Sequence, residues 1–128
     1  LTFTDEVNAV CLPDSPIPAG TRCIAAGWGL DENGETSDRL LHLSKIMQRD
    51  SDCSPYSITE DMLCAIAPSG VGDVCGGDSG GPLVCKQNKK NELAGVVSWG
   101  EPCELRNRTS GVYADVYYFI PWIKGIIN

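Results

Sequence analysis

The chain holds a single histidine, His42, so any chemistry that needs an imidazole has one candidate within these 128 residues. No apolar run reaches the roughly 20 residues of a membrane-spanning helix. Leu1 opens no secretory leader pattern either. We therefore expect a soluble chain that makes no membrane contact, with its earliest residues missing. Basic tracts are also lacking: ten Lys and Arg against 17 Asp and Glu leave a net charge of −7. That balance excludes nucleic acid and anionic membrane as natural partners. The longest basic cluster, Lys86 to Lys90, holds three lysines among polar residues and reads as a solvated hairpin loop. No close C-x₂-C pair suggests zinc. Asp50 and Asp52 fall well short of the roughly six to eight oxygens that calcium takes, and read as a solvated turn before Cys53. No metal or cofactor is expected. Internal repeats and low-complexity tracts are absent.

Cysteine, by contrast, is abundant: seven residues at positions 11, 23, 53, 64, 75, 85 and 103. So many in a chain of this size point to disulfides and an oxidising compartment, hence to a secreted, extracellular protein. The odd count leaves at least one sulfur free or joined to something outside the chain. Spacing alone does not give the connectivity. The sequon Asn107-Arg108-Thr109 offers a glycosylation site in the same compartment.

One domain of this length can bury roughly two thirds of its unfolded surface. Residues 1–20 are irregular and carry Pro13, Pro16 and Pro18, which resist helix interiors and central strands, so they read as a linker. Residues 21–128 form the folded unit. Six short apolar or alternating runs follow: Cys23 to Trp28, Leu40 to Met47, Met62 to Ala67, Pro82 to Cys85, Leu93 to Trp99 and Gly111 to Tyr117. Turn-rich segments separate them, including Asp31-Glu32-Asn33-Gly34 and Gln87-Asn88-Lys89-Lys90. Such spacing predicts an all-β antiparallel barrel or sandwich. In the last ten residues Phe119, Trp122, Ile123, Ile126 and Ile127 recur at helical spacing, with Pro121 tolerable only in a first turn, which predicts a short terminal helix.

Gly76-Gly77-Asp78-Ser79-Gly80-Gly81-Pro82 places a hydroxyl in a glycine-rich turn directly after an aspartate. Small neighbours let the backbone fold tightly and aim successive N–H groups at one point, where a developing oxyanion can accept them. The combination points to a serine hydrolase. The same residue types also build ordinary turns, and the flanking sequence has to separate the two readings.

Landmarks over essentially the whole chain resemble the C-terminal half of a chymotrypsin-type, trypsin-like serine protease. They are Ala9-Val10-Cys11-Leu12-Pro13, Ala26-Gly27-Trp28-Gly29, Gly77-Asp78-Ser79-Gly80-Gly81-Pro82-Leu83-Val84, Val97-Ser98-Trp99-Gly100, Gly111-Val112-Tyr113 and Pro121-Trp122-Ile123. The resemblance implies the second six-stranded antiparallel barrel of a two-barrel fold, with a short C-terminal helix. It implies a zymogen-derived endopeptidase in which Ser79 is the nucleophile and the amides of Gly77 and Ser79 form the oxyanion hole. Asp73 would lie at the floor of the primary pocket and select Arg or Lys. Val74 beside it, in place of the small polar residue or alanine common there, would favour Arg. Ser98, Trp99, Gly100 and Gly111 would line the pocket, and Asp78 would pair with the ammonium released on zymogen cleavage.

The family's catalytic histidine and aspartate belong to the first barrel, whose Ala-Ala-His-Cys type of run is missing here. His42 reads as an ordinary strand residue. The partner expected is an N-terminal protease half on a separate chain or removed segment, alongside Arg- or Lys-containing substrate proteins and inhibitor proteins. The resemblance also supplies cysteine pairs: Cys23 with Cys85, Cys53 with Cys64, Cys75 with Cys103, and Cys11 with another chain or segment. Departures from the family pattern fall at Ser110, which replaces a frequent proline, and in the lengthened stretch from Cys103 to Gly111. A competing reading is a catalytically inactive homologue that serves as a protein-binding module. An intact Ser79, Gly77 and Asp73 argue against it, because a binding module has no chemical need for that set.

Overall fold

A computed structural model describes residues 1–31, 33–53, 57–68, 78–99 and 111–128. Among them, six strands close into one antiparallel barrel: β1 Arg22–Gly27, β2 Leu41–Met47, β3 Met62–Ile66, β4 Pro82–Gln87, β5 Lys90–Trp99 and β6 Gly111–Asp115, in the spatial order β1-β2-β3-β6-β5-β4. Each strand pairs with two neighbours, so among the described residues the sheet has no edge strand, which is how small antiparallel sheets avoid edge-to-edge association. Period-two alternation sets the interior. Cys23, Ala25, Leu83, Cys85, Ala94, Val97 and Tyr113 point inward and pack with Met47, Leu63 and Ala65. Outward neighbours such as Ile24 remain 48% exposed.

Two disulfides staple this core. Cys23 and Cys85 face each other directly across the β1–β4 ladder and are bonded. Cys53, following a 3₁₀ turn at Asp50–Asp52, is bonded to Cys64 of β3. In that turn the Arg49 Nε donates to the Asp52 carboxylate at 2.9 Å, so one of the two acids there already holds a cation.

The hairpin between β4 and β5 is tighter than the sequence predicts. Gln87 pairs with Lys90, leaving only Asn88 and Lys89 in the loop, at φ of 52° and 64°. Two successive left-handed residues make a primed turn whose twist matches the strands it joins. Lysine is an uncommon residue for that backbone, so the usual glycine signal is missing from the sequence.

The segment ahead of the barrel is tied to it. The Cys11 N–H donates to the Asn91 carbonyl at 3.2 Å, and the Leu93 N–H donates to the Cys11 carbonyl at 2.8 Å. Ile17 packs against the core cluster. Glu92, 3% exposed, accepts a hydrogen bond from the Asp14 N–H at 3.3 Å, so its burial comes with a donor from the same segment.

Helix α1, Val116–Ile127, starts three residues before the ten-residue stretch that the periodicity marks. The reason is Asp115, whose side chain accepts from the Tyr117 N–H at 3.1 Å and the Tyr118 N–H at 3.4 Å. That carboxylate cap moves the helix start to the end of β6. Pro121 consequently lies beyond the first turn, where the Tyr117 carbonyl loses its i+4 donor. Burial raises the Asp115 carboxyl above its ordinary range, and the two capping amides oppose that rise. The strand prediction that ran β6 on to Tyr117 is shortened for the same reason.

Candidate active site

Ser79 sits at the second position of a four-residue turn, Asp78 to Gly81. The turn is closed by the Gly81 N–H, which donates to the Asp78 carbonyl at 2.9 Å. Gly80, the third residue, has φ +83°, the left-handed value that glycine adopts without cost and that a type II turn requires there. Two further bonds clasp the turn to β5: Gly80 N–H to Val97 carbonyl at 3.0 Å, and Val97 N–H to Gly81 carbonyl at 2.9 Å. The Ser79 side chain is left exposed at the tip. A hydroxyl raised on a turn that is closed across itself and tied to β5 through Gly80 and Gly81 meets the geometric need of a nucleophile.

The strand that clasps this turn carries a bulge directly after the clasp. Val97 faces Tyr113 and Trp99 faces Val112, so Ser98 is the extra residue on β5. Such a bulge locally re-aims side chains, and here it breaks the alternation so that Ser98 and Trp99 are both exposed. Gly111, buried, opens β6 beside that pair and opposite Ala65. The structure therefore brings Asp78, Ser79, Ser98, Trp99 and Gly111 to one end of the barrel. Asp73, Val74, Cys75, Gly77, Gly100, Cys103 and Asn107 lie outside the described residues, and with them the Cys75–Cys103 pairing and the N–H of Gly77.

The Asp78 side chain, half-buried, lies against the end of β1 and the residues that follow it. The Gly29 N–H donates to its Oδ1 at 2.8 Å. The alpha carbons of Gly27 and Gly29 lie so close that a methyl group at either would overlap the carboxylate. The strand run Cys23 to Trp28 and the landmark Ala26-Gly27-Trp28-Gly29 do not by themselves announce this contact. The available signal was two glycines flanking a tryptophan at a strand end, since glycine in a strand often marks a close approach by another group.

His42 stands on β2, opposite Ala26 of β1, with its side chain exposed. Among the described residues, no hydrogen bond joins it to Ser79. Cys11 is an exposed free thiol among the described residues. No group of three His, Cys, Asp or Glu side chains among the described residues is placed to hold a metal ion. No helix among them is long and apolar enough to cross a membrane.

With a serine on a clasped glycine turn, an aspartate directly before it and a closed six-stranded barrel beneath, comparison with known families is decisive. The trypsin family model matches residues 1–123. The chain belongs to the trypsin family. Human "Transmembrane protease serine 5" is 43% identical to it over 133 residues, an alignment that covers 96% of this chain and 29% of that protein. The chain thus spans less than a third of the length of this trypsin-family relative. In that family setting, the barrel with its terminal helix and two internal disulfides corresponds to a trypsin-type barrel.

Proposed function

We propose that this chain supplies the nucleophile, oxyanion hole and primary specificity pocket of a trypsin-like serine endopeptidase that cleaves after Arg or Lys. The observation that carries the reading is the exposed Ser79 on a turn closed by the Gly81 N–H on the Asp78 carbonyl and hydrogen-bonded through Gly80 and Gly81 to Val97 of β5, next to the Ser98 bulge. Ser79 attacks the scissile carbonyl, and the amides of Gly77 and Ser79 receive the oxyanion. Each such donor is worth about 10²–10³ in rate. Asp73 attracts the cationic side chain of the substrate, with Val74 biasing the choice toward Arg, and Ser98, Trp99, Gly100 and Gly111 form the walls. Asp78 accepts the ammonium freed by zymogen cleavage.

An unassisted serine hydroxyl is a weak nucleophile and needs a base within hydrogen-bond reach. His42 is not so placed, and the relative's length leaves room for other segments. We assign the base and its orienting carboxylate to an N-terminal half, residues 1–20 being the connection to it and residues 21–128 the nucleophile barrel. Pro82 and Val84, which follow the Ser79 turn on β4, and Ile24 beside them leave apolar surface suited to packing by that half. Cys11, exposed on the connecting segment, is the natural anchor for a bond to it or to another chain. The disulfides and the Asn107 sequon suit an extracellular setting, either secreted or held at a membrane as the relative's name describes for that protein.

Paired peptide substrates that differ only in Arg, Lys or Leu before the scissile bond test the specificity. The reading requires cleavage after Arg and Lys, Arg the faster, with Leu resistant. Faster cleavage after Leu refutes it.

A further inference from the structure

We infer that Lys45 is a specificity-determining residue of the primary pocket, a buried cation that opposes the pocket's attraction for Arg and Lys; this rests on Asp73 serving as the floor of that pocket. Lysine is among the residues least often enclosed completely, yet Lys45 on β2 is 1% exposed. Residues directly opposite on antiparallel strands share a face of the sheet. Lys45 faces Cys23 of β1, and Met47, two residues along on the same face, belongs with Cys23 to the core cluster. Its side chain therefore enters the barrel.

Register sets that side chain toward the end of the barrel that carries Ser79. Met47 faces Ala65 of β3, and Ala65 faces Gly111 of β6, so the three form one row that ends on a residue assigned to the pocket wall. From Met47 the step to Lys45 runs toward Leu41, which faces Gly27, against the Asp78 side chain. Continuing the β2–β3 register by two residues sets Lys45 opposite Ala67, also buried. In the sequence Asp73 follows six residues after Ala67. Glu92 is the other buried charged side chain among the described residues, but it faces Cys85, across the Cys23–Cys85 bridge from β2, and its Oε2 accepts from the Asp14 N–H. An ammonium enclosed in a barrel is costly unless an anion lies near, and its field is little screened there. Lys45 draws on the same carboxylate that a substrate's cation must use, a repulsive element set against positively charged side chains. A neutral substrate side chain feels much less of it.

The test compares kcat/KM of the whole protein carrying this chain on paired peptides with Arg or Leu before the scissile bond, as wild type and as K45M. Methionine removes the charge and nearly conserves the volume. The Arg-to-Leu ratio should rise about tenfold or more in K45M, well inside what two charges exchange across a few ångströms in a protein. K45Q, neutral but polar, should move the ratio in the same direction, with thermal melts showing that both variants fold. A merely structural role would change both substrates by the same factor. A ratio that stays level or falls overturns the inference, and so do two variants that both fail to fold. Wild-type cleavage that is faster after Leu refutes the Arg or Lys reading instead, and the ratio between variants still decides Lys45. Calorimetric binding of the benzamidinium ion and of neutral benzamide decides it without turnover. Absence of cleavage refutes the proposed endopeptidase, whereas a benzamidinium-to-benzamide affinity ratio about tenfold higher in K45M supports the role of Lys45. An equal ratio, or no binding to either protein, overturns it.

Discussion

Gly80 and Gly81 are neighbours whose replacement by alanine should fail for different reasons and by different amounts. Alanine at 80 has open space around its methyl group, so its cost is the left-handed backbone alone, about 1–2 kcal/mol for a residue with a Cβ. If that cost falls wholly on the turn, about 1.4 kcal/mol corresponds to a tenfold loss of the correctly formed population. Alanine at 81 places its Cβ 2.8 Å from the Asp78 carbonyl oxygen and 3.0 Å from that of Ala26. Both are backbone atoms, so no side chain can swing aside. Either the bond closing the turn opens or β4 parts from β1, and Ser79 leaves its place. A misplacement of that size costs about 10² in rate. Fluorophosphonate labelling of the two variants, normalised to wild type and accompanied by thermal melts, should show G81A at least about tenfold slower than G80A. G80N should recover most of the G80A loss, because asparagine tolerates left-handed backbone better than alanine. A G81A protein that labels at the wild-type rate, or one faster than G80A, refutes the reasoning.

The helix cap makes a prediction about pH. Burial raises the Asp115 carboxyl, so the folded chain holds that proton more tightly than the unfolded one. The associated stability is complete below the unfolded carboxylate value and disappears as pH rises through the raised folded value. D115N keeps the cap without a charge. It should match or exceed wild-type stability at pH 7 and lack this pH dependence, whereas D115A should lose about 1 kcal/mol. Urea titrations at pH 4 and pH 7 check this, and a D115N loss equal to that of D115A at pH 7 contradicts it. The two disulfides close loops with sequence separations of 62 and 11, for which chain entropy gives about 4 and about 3 kcal/mol. Replacing Cys23 and Cys85 by alanine should therefore destabilise more than replacing Cys53 and Cys64, as read by equilibrium denaturation. The reverse order would sink that account.

Barrel, strand count and terminal helix were legible because alternation and turn residues report directly on which face is buried. Boundaries were less so where one side chain overrode the pattern. Asp115 draws the helix start back to Val116, and Lys89 holds a left-handed turn that glycine would have advertised. In the site, Ser79 and its glycines form a contiguous run and could be read from the chain alone. The Gly27 and Gly29 contact with Asp78 joins residues about fifty positions apart, and no local rule connects them. The Ser98 bulge was likewise hidden, since an extra residue in a ladder is defined by its partner strand and not by its own sequence.

The central claim is that Ser79 attacks with help from a base outside these residues. A fluorophosphonate probe followed by peptide mapping tests it most directly, using the whole protein as wild type and as H42A. The account predicts a single modified residue, Ser79, labelled at the same rate in both proteins. Labelling that vanishes in H42A, or that falls on a different residue, contradicts it.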